Sequence, residues 1–284
     1  MVHQALFPAD RAYPRMTYGF DGVTVAFDGQ IALKEIDLDI EPGQVTVVIG
    51  ADGAGKTTTA RTMVGLLDPL SGTVHRPPDI GYQPEASGAW SDLTVGENLS
   101  LVATAHRLRE AEQRKRALLE ATNLTAAADR LAENLSGGMR QKLAVAMAML
   151  AQPSLIVLDE PTTGLDPMSR AELWRLLSMA AGEGAAVLIT TAYLNEAERA
   201  SQVLVLDDGA TLASGTASQI RASFPGTVSI SESRPATGHS WRRGRNWRVW
   251  SPEGSPPSEG VVVEPDLADV VTLAALTKKE GAPS

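Results

Sequence analysis

Gly50-Ala51-Asp52-Gly53-Ala54-Gly55-Lys56-Thr57 follows the apolar run Val45–Ile49 and opens a segment with helical spacing, Thr57–Leu67. A glycine-rich turn between a strand and a helix points several backbone N–H groups at one phosphate, and the helix dipole adds positive potential there. Lys56 then spans the outer phosphates, and the Thr57 hydroxyl is placed to hold Mg²⁺. The candidate nucleotide contacts are Gly50, Asp52, Gly53, Ala54, Gly55, Lys56, Thr57 and Thr58. The plainer alternative is a glycine-rich turn that merely starts a helix.

Working outward, Val45–Ile49 is a continuous β-branched run, as expected of a parallel strand covered on both faces. Before it, Ile36, Leu38 and Ile40 alternate with Asp37 and Asp39, the period of a strand with one wet face. Beyond it, strand-like Leu155–Asp159, helical Ser169–Ala181, strand-like Ala186–Thr190, helical Asn195–Ala200 and strand-like Val203–Asp207 alternate. That order implies crossovers onto a parallel sheet, hence an α/β core. Leu93–Leu108 and Glu110–Thr122 carry helical spacing without strands between them, which reads as an inserted helical subdomain over about residues 89–135. From Phe224 the pattern breaks up, and Ser251–Gly260 is a loop by composition. The expected division is an N-terminal segment 1–19, a main domain 20–222 and a small α+β C-terminal extension 223–284.

Composition removes several classes of function. With 284 residues and 43% hydrophobic content, the chain can bury a sizeable core. It has no Cys, and its four His are scattered, so any metal must arrive with a ligand. A net charge of −9 argues against nucleic acid as a partner, because phosphate-backbone affinity needs a basic surface. The apolar runs, the longest being Leu143–Ala151, fall short of the roughly 20 residues of a membrane span. Met1–Phe20 lacks the apolar centre of a secretory signal, so a cytoplasmic location is expected.

Two further motifs carry chemistry. Leu155-Ile156-Val157-Leu158-Asp159-Glu160 is an apolar strand ending in two carboxylates, which a parallel sheet puts at its carboxyl edge beside the phosphate loop. Asp159 would serve Mg²⁺, and Glu160 would orient and deprotonate an attacking water; a structural acidic turn is the alternative. Ser136-Gly137-Gly138 precedes the helix-forming run Arg140–Leu150, so Ser136 is a candidate cap beside two flexible backbone donors.

Taken together, these three motifs resemble the nucleotide-binding subunit of ATP-binding cassette (ABC) transporters, over roughly Val23–Gly215. The resemblance implies a P-loop NTPase fold: a RecA-like parallel core with an antiparallel β subdomain. It also implies that ATP and Mg²⁺ are bound, that Lys56 and Glu160 are catalytic, and that Thr57 and Asp159 serve the metal. In that family the Ser-Gly-Gly signature of one subunit completes the site of a second cassette, homo- or heterodimeric. Phe27 matches the aromatic that stacks on adenine, and Asp166, in Thr163-Gly164-Leu165-Asp166, matches the D-loop. A core aromatic and a simple helix cap are the respective alternatives.

Two positions depart from the family pattern. In Ile80-Gly81-Tyr82-Gln83-Pro84-Glu85 the lid glutamine after the proline is replaced by Glu85, which can still reach Mg²⁺ or its waters, and Gln83 is a false match. In Thr191-Ala192-Tyr193 the γ-phosphate-sensing His is replaced by Ala192. No imidazole acts there, so a slow site is expected.

The runs Asp166–Arg170, Leu194–Glu198 and Glu264–Val270 resemble ABC-2 type exporter subunits for drugs or lipids, and the short Gly72–Ile80 stretch suggests a trimmed β-arm. Trp241, Trp247 and Trp250 interleave with Arg242, Arg243, Arg245 and Arg248. A strand pair with Arg on its wet face fits the acidic remainder better than a nucleic-acid or membrane-surface platform. The resemblance implies an ATPase docked on a separate transmembrane permease, peripheral on the cytoplasmic face of the cell membrane. Other readings are a soluble non-transport cassette ATPase, or a catalytically weak cassette that completes a partner's site.

Overall fold

The computed structural model describes residues 17–86, 88–235, 238–255 and 260–281. Most of the expected N-terminal segment, up to residue 16, therefore lies outside the described residues, as does 256–259 of the expected loop. The first part of the chain comprises β1 (Tyr18–Phe27), β2 (Gln30–Ile40), β3 (Val45–Ile49), α1 (Lys56–Met63), β4 (Ser71–His75) and β5 (Ile80–Gln83). Helices follow without strands: α2 (Val95–Ala105), α3 (Ala111–Ala121) and α4 (Gly137–Met149). Alternation then resumes with β6 (Leu155–Asp159), α5 (Pro167–Gly182), β7 (Ala186–Thr191), α6 (Leu194–Ala197), β8 (Gln202–Asp207), β9 (Ala210–Gly215) and α7 (Ala217–Ala222). The C-terminal region holds β10 (Thr227–Ser231), β11 (Ser240–Arg243), β12 (Asn246–Ser251), β13 (Val261–Val263) and α8 (Leu267–Gly281).

The central sheet has the order β5-β6-β7-β3-β8-β9, parallel except for β9 at its edge. Every residue of β3, β6 and β7 is buried, which is why their apolar runs are unbroken. Successive side chains serve opposite faces. Val45, Val47, Ile49, Ile156, Leu158, Val187 and Ile189 face the helices α4 and α5. Val48, Leu155, Val157, Ala186 and Leu188 face α1 and the antiparallel sheet β2-β1-β4. Because this second layer needs only one apolar face, β2 alternates where β3 does not.

The helical insert is fixed at its start. Thr94 and Glu97 form a reciprocal capping box on α2. Fully buried Asn98 donates to the Trp90, Leu93 and Thr94 carbonyls and accepts the Trp90 N–H, tying α2 to the chain that enters it.

Two helices differ from the sequence expectations. The helix expected over Thr57–Leu67 stops at Met63, where the chain turns through Gly65 at φ +80. The helix expected over Asn195–Ala200 is a single turn, because the chain must re-enter the sheet at Gln202. The region from Phe224, which shows no clear pattern in sequence, contains a four-stranded antiparallel sheet β11-β12-β10-β13. Its strands are short and half-buried, so neither alternation nor continuous apolarity develops. The Trp/Arg region is a strand pair, Trp241↔Arg248 and Arg242↔Trp247 in register. Trp241 Nε1 donates to Asp269, while Arg243 and Arg248 pair with Asp266 and Asp269 at the start of α8. These arginines anchor a helix.

Candidate functional site

The phosphate loop leaves β3 at the carboxyl edge of the sheet and enters α1 directly. Gly55 caps α1 at φ 103, a left-handed conformation that L side chains rarely adopt. A Cβ there would also lie 2.7 Å from Leu33 Cδ2 and 2.9 Å from the Ala32 carbonyl. The loop thus lies against the β1–β2 hairpin, and only glycine fits at the contact. Asp52, Gly53, Gly55, Lys56, Thr57 and Thr58 line one cavity with Ala32, Glu85 and Glu160.

Lys56 is only 6% exposed, and its ammonium donates to the Gly50 and Ala51 carbonyls at 2.9 and 3.0 Å. It also lies 3.2 Å from Glu160 Oε1. The other oxygen of that carboxylate accepts from the Thr163 hydroxyl at 2.8 Å. Thr57 Oγ1 donates to Asp159 Oδ1 at 3.3 Å. Asp159 is fully buried, and its Oδ2 has no hydrogen-bond partner among the described residues. Tyr82 stands nearby, and burial together with the Asp159 charge pushes its phenol above the ordinary range.

Several contacts of the acidic pair were not anticipated from sequence. The Thr190 hydroxyl, on β7, donates to Asp159 Oδ1 at 2.5 Å and accepts the Glu160 N–H at 3.1 Å. Gln141 donates to the Glu160 carbonyl at 3.1 Å. Gln83 donates to the Asp159 carbonyl at 3.3 Å and to the Pro84 carbonyl at 2.6 Å. One signal was available: Thr190 and Thr191 are polar residues ending an otherwise apolar strand next to the acidic one.

The remaining candidates lie apart from the cavity. Phe27 is 44% exposed at the end of β1 and belongs to neither core, so it is not a core aromatic. Ser136 caps α4, accepting the Met139 N–H at 3.3 Å, with Gly137 exposed beside it and Gly138 half-buried. None of these three lines the cavity. Asp166 caps α5, accepting the Met168 and Ser169 N–H groups at 3.0 Å. Its bonds to Ser169, and secondarily to Met168, hold its carboxyl below the usual range.

Ala192 is exposed, and both of its chain neighbours are engaged elsewhere. The Thr191 hydroxyl is buried and accepts the Tyr193 N–H at 3.0 Å. Tyr193 lies under the Arg170 guanidinium, 4.3 Å from its ring centroid.

A sequence profile described as ABC transporter matches residues 33–163, the stretch that holds the phosphate loop, the Ser-Gly-Gly cap and the acidic strand end. The chain is 42% identical over 201 residues to YbhF of Escherichia coli (strain K12), a probable multidrug ABC transporter ATP-binding protein, covering 65% of this chain and 34% of that protein. It is 34% identical over 222 residues to the daunorubicin/doxorubicin resistance ATP-binding protein DrrA of Streptomyces peucetius, covering 73% of this chain and 67% of that one. The chain belongs to the ABC transporter ATP-binding family. A dimeric bacterial ABC transporter cassette of known structure is similar over 70% of this cassette and 98% of its own chain, at 25% identity and a TM-score of 0.62. The cassette spans about a third of the length of YbhF. Among the described residues no helix is long and apolar enough to cross a membrane, and no cluster of three or more His, Cys, Asp or Glu side chains could hold a metal.

Proposed function

We propose that this cassette binds and hydrolyses ATP and thereby drives a separate transmembrane permease of an ABC-2 type export system, from the cytoplasmic face of the membrane. The observation that carries the reading is the convergence of Lys56, Thr57, Asp159 and Glu160 at the end of one sheet. Lys56 exchanges its present partners for outer phosphate oxygens, and the loop N–H groups from Asp52 to Thr58 hold the rest. Thr57 and Asp159 offer only oxygens, one of them a buried carboxylate oxygen without a partner, a donor set that fits Mg²⁺. When bound, Mg²⁺ offsets charge on the phosphates. Glu160, released by Lys56, orients a water toward the terminal phosphorus and takes its proton as the new P–O bond forms and ADP leaves.

Phe27, exposed at the hairpin end, stacks on adenine, and Glu85 at the cavity acts as the lid residue. Ser136, Gly137 and Gly138, being outside their own cavity, close the site of a second cassette, with Asp166 beside them. The dimeric relative supports that pairing. Export is supported by the names of YbhF and DrrA.

One observation favours a second reading within this one. With no imidazole at 192 and with Thr191 and Tyr193 already engaged, this chain's own site hydrolyses slowly while its signature serves a partner that retains the His. Co-purification from detergent-solubilised membranes, followed by ATPase assay of the complex, tests the proposal. A polytopic protein and ATP turnover are expected. A chain that leaves membranes alone in salt, with no polytopic companion, contradicts the coupling to a permease.

A further inference from the structure

Thr190 Oγ1 lies between the two acidic residues that end β6, 2.5 Å from Asp159 Oδ1 and 3.1 Å from the Glu160 amide nitrogen. A threonine hydroxyl has one proton and two lone pairs. Its proton goes to Asp159, and a lone pair takes the Glu160 N–H. That same N–H also points at the Thr190 carbonyl, 3.1 Å away. Thr190 is fully buried on the strand next to β6, where Asp159 and Thr190 are register partners.

We infer that Thr190 is a positioning residue, setting the Asp159 carboxylate and the Glu160 backbone through one hydroxyl. The inference rests on the ATPase reading above. Two features make the position sensitive. Asp159 Oδ1 also accepts from Thr57, so the carboxylate plane is set by two hydroxyls, one from the end of β7 and one from the first turn of α1, leaving Oδ2 as the free oxygen. Glu160 has φ 53, a left-handed conformation unusual for a non-glycine residue, and must be held there by its surroundings. Gln141 holds its carbonyl and Thr190 holds its amide. Since residue 192 brings no imidazole, Thr190 is the β7 side chain that reaches the acidic pair. It contacts no reacting atom itself.

The test compares Thr190→Val, which keeps the shape and loses the hydroxyl, with Thr190→Ser, which keeps the hydroxyl. Losing a charge-assisted hydrogen bond to a buried carboxylate corresponds to about a 10- to 100-fold effect. Thr190→Val is expected to lower kcat by that order and to raise the Mg²⁺ concentration needed for half-maximal turnover. Affinity for ATP without Mg²⁺ is expected to stay near wild type, because the phosphate loop is untouched. Thr190→Ser is expected to restore most of kcat. Amide hydrogen exchange of nucleotide-free protein provides a readout independent of activity: the Glu160 amide is expected to exchange faster in Thr190→Val and to be restored in Thr190→Ser. Unchanged kcat, Mg²⁺ requirement and exchange in Thr190→Val, or a Ser variant as impaired as Val, would overturn the inference. A wild-type chain that binds no ATP would instead count against the ATPase reading, and the exchange experiment would still decide the role of Thr190.

Discussion

Lys56 Nζ sits 3.2 Å from Glu160 Oε1 and donates to the Gly50 and Ala51 carbonyls, with Asp52 Oδ1 farther off at 3.9 Å, so all three ammonium protons have partners. The cation meant for phosphate is paired with the proposed base, whose second oxygen is held by Thr163. A triphosphate entering the loop competes for the same ammonium and frees Glu160 when it wins. Glu160→Gln keeps the shape but gives Lys56 a neutral, weaker partner. Its ATP affinity should equal or exceed that of wild type, while turnover falls and an ATP-bound dimer accumulates. Single-turnover hydrolysis at this chain's own site that is unchanged in Glu160→Gln would show that Glu160 is not the base.

The exposed Ala192 predicts an asymmetric response in the assembled transporter. Losing a preorganised donor to transition-state charge costs on the order of 10²–10³ in rate, so this chain's own site should contribute little turnover. Ser136→Arg, which blocks the signature lent to a partner, should abolish most activity, whereas Lys56→Ala in the same chain should leave a substantial fraction. ATPase assays of the two complexes decide it, and equal losses argue for two equivalent sites.

Arg170 and Glu196 make a testable structural pair. Glu196 is 1% exposed, neither of its oxygens has a hydrogen bond among the described residues, and Arg170 lies 3.8 Å away as its ion-pair partner. Arg170→Met should destabilise the fold by roughly 1–3 kcal/mol, less than a fully buried pair would cost because Arg170 is part exposed. Glu196→Gln in the same chain should recover part of that, since the orphaned charge disappears. Urea midpoints of the single and double variants give the comparison, and a double variant as unstable as the sum of the singles would mean the two do not interact.

The C-terminal sheet and helix should be acid-sensitive. Burial alone would push the Asp266 carboxyl up, but the Arg243 guanidinium and the Asp269 amide outweigh it and hold the carboxyl below its ordinary range. A carboxyl depressed in the folded state stabilises it above the unfolded pKa of about 3.9, and that contribution is lost as pH falls through the folded value. Unfolding monitored by the fluorescence of Trp241, Trp247 and Trp250 should therefore begin below about pH 4, and Arg243→Gln should shift the onset upward. An onset independent of Arg243 would remove the pair from the account.

The α/β core was legible because fully buried strands read as unbroken apolar runs: Val45–Ile49 and Leu155–Leu158 needed no partner to be recognised. The phosphate loop was legible because Gly55, Lys56 and Thr57 are contiguous. The ties that hold the site together were not, because Thr190, Gln141 and Gln83 come from separate elements and act through one or two hydrogen bonds each, whose sequence trace is one polar residue apiece. The C-terminal sheet was obscured by strands of three to six residues with mixed burial. Phe27, expected as an adenine-stacking aromatic with a core position as the alternative, is left in solvent by the hairpin, which removes the alternative.

The central claim is that Lys56 and its loop bind the triphosphate of ATP. Titration of ATP and Mg²⁺ into the purified wild-type chain and into Lys56→Ala, followed by calorimetry, tests it most directly. A charge-assisted contact of about 1.5–3 kcal/mol predicts that Lys56→Ala weakens the dissociation constant by about 10- to 100-fold with the fold intact. An unchanged dissociation constant would contradict the account.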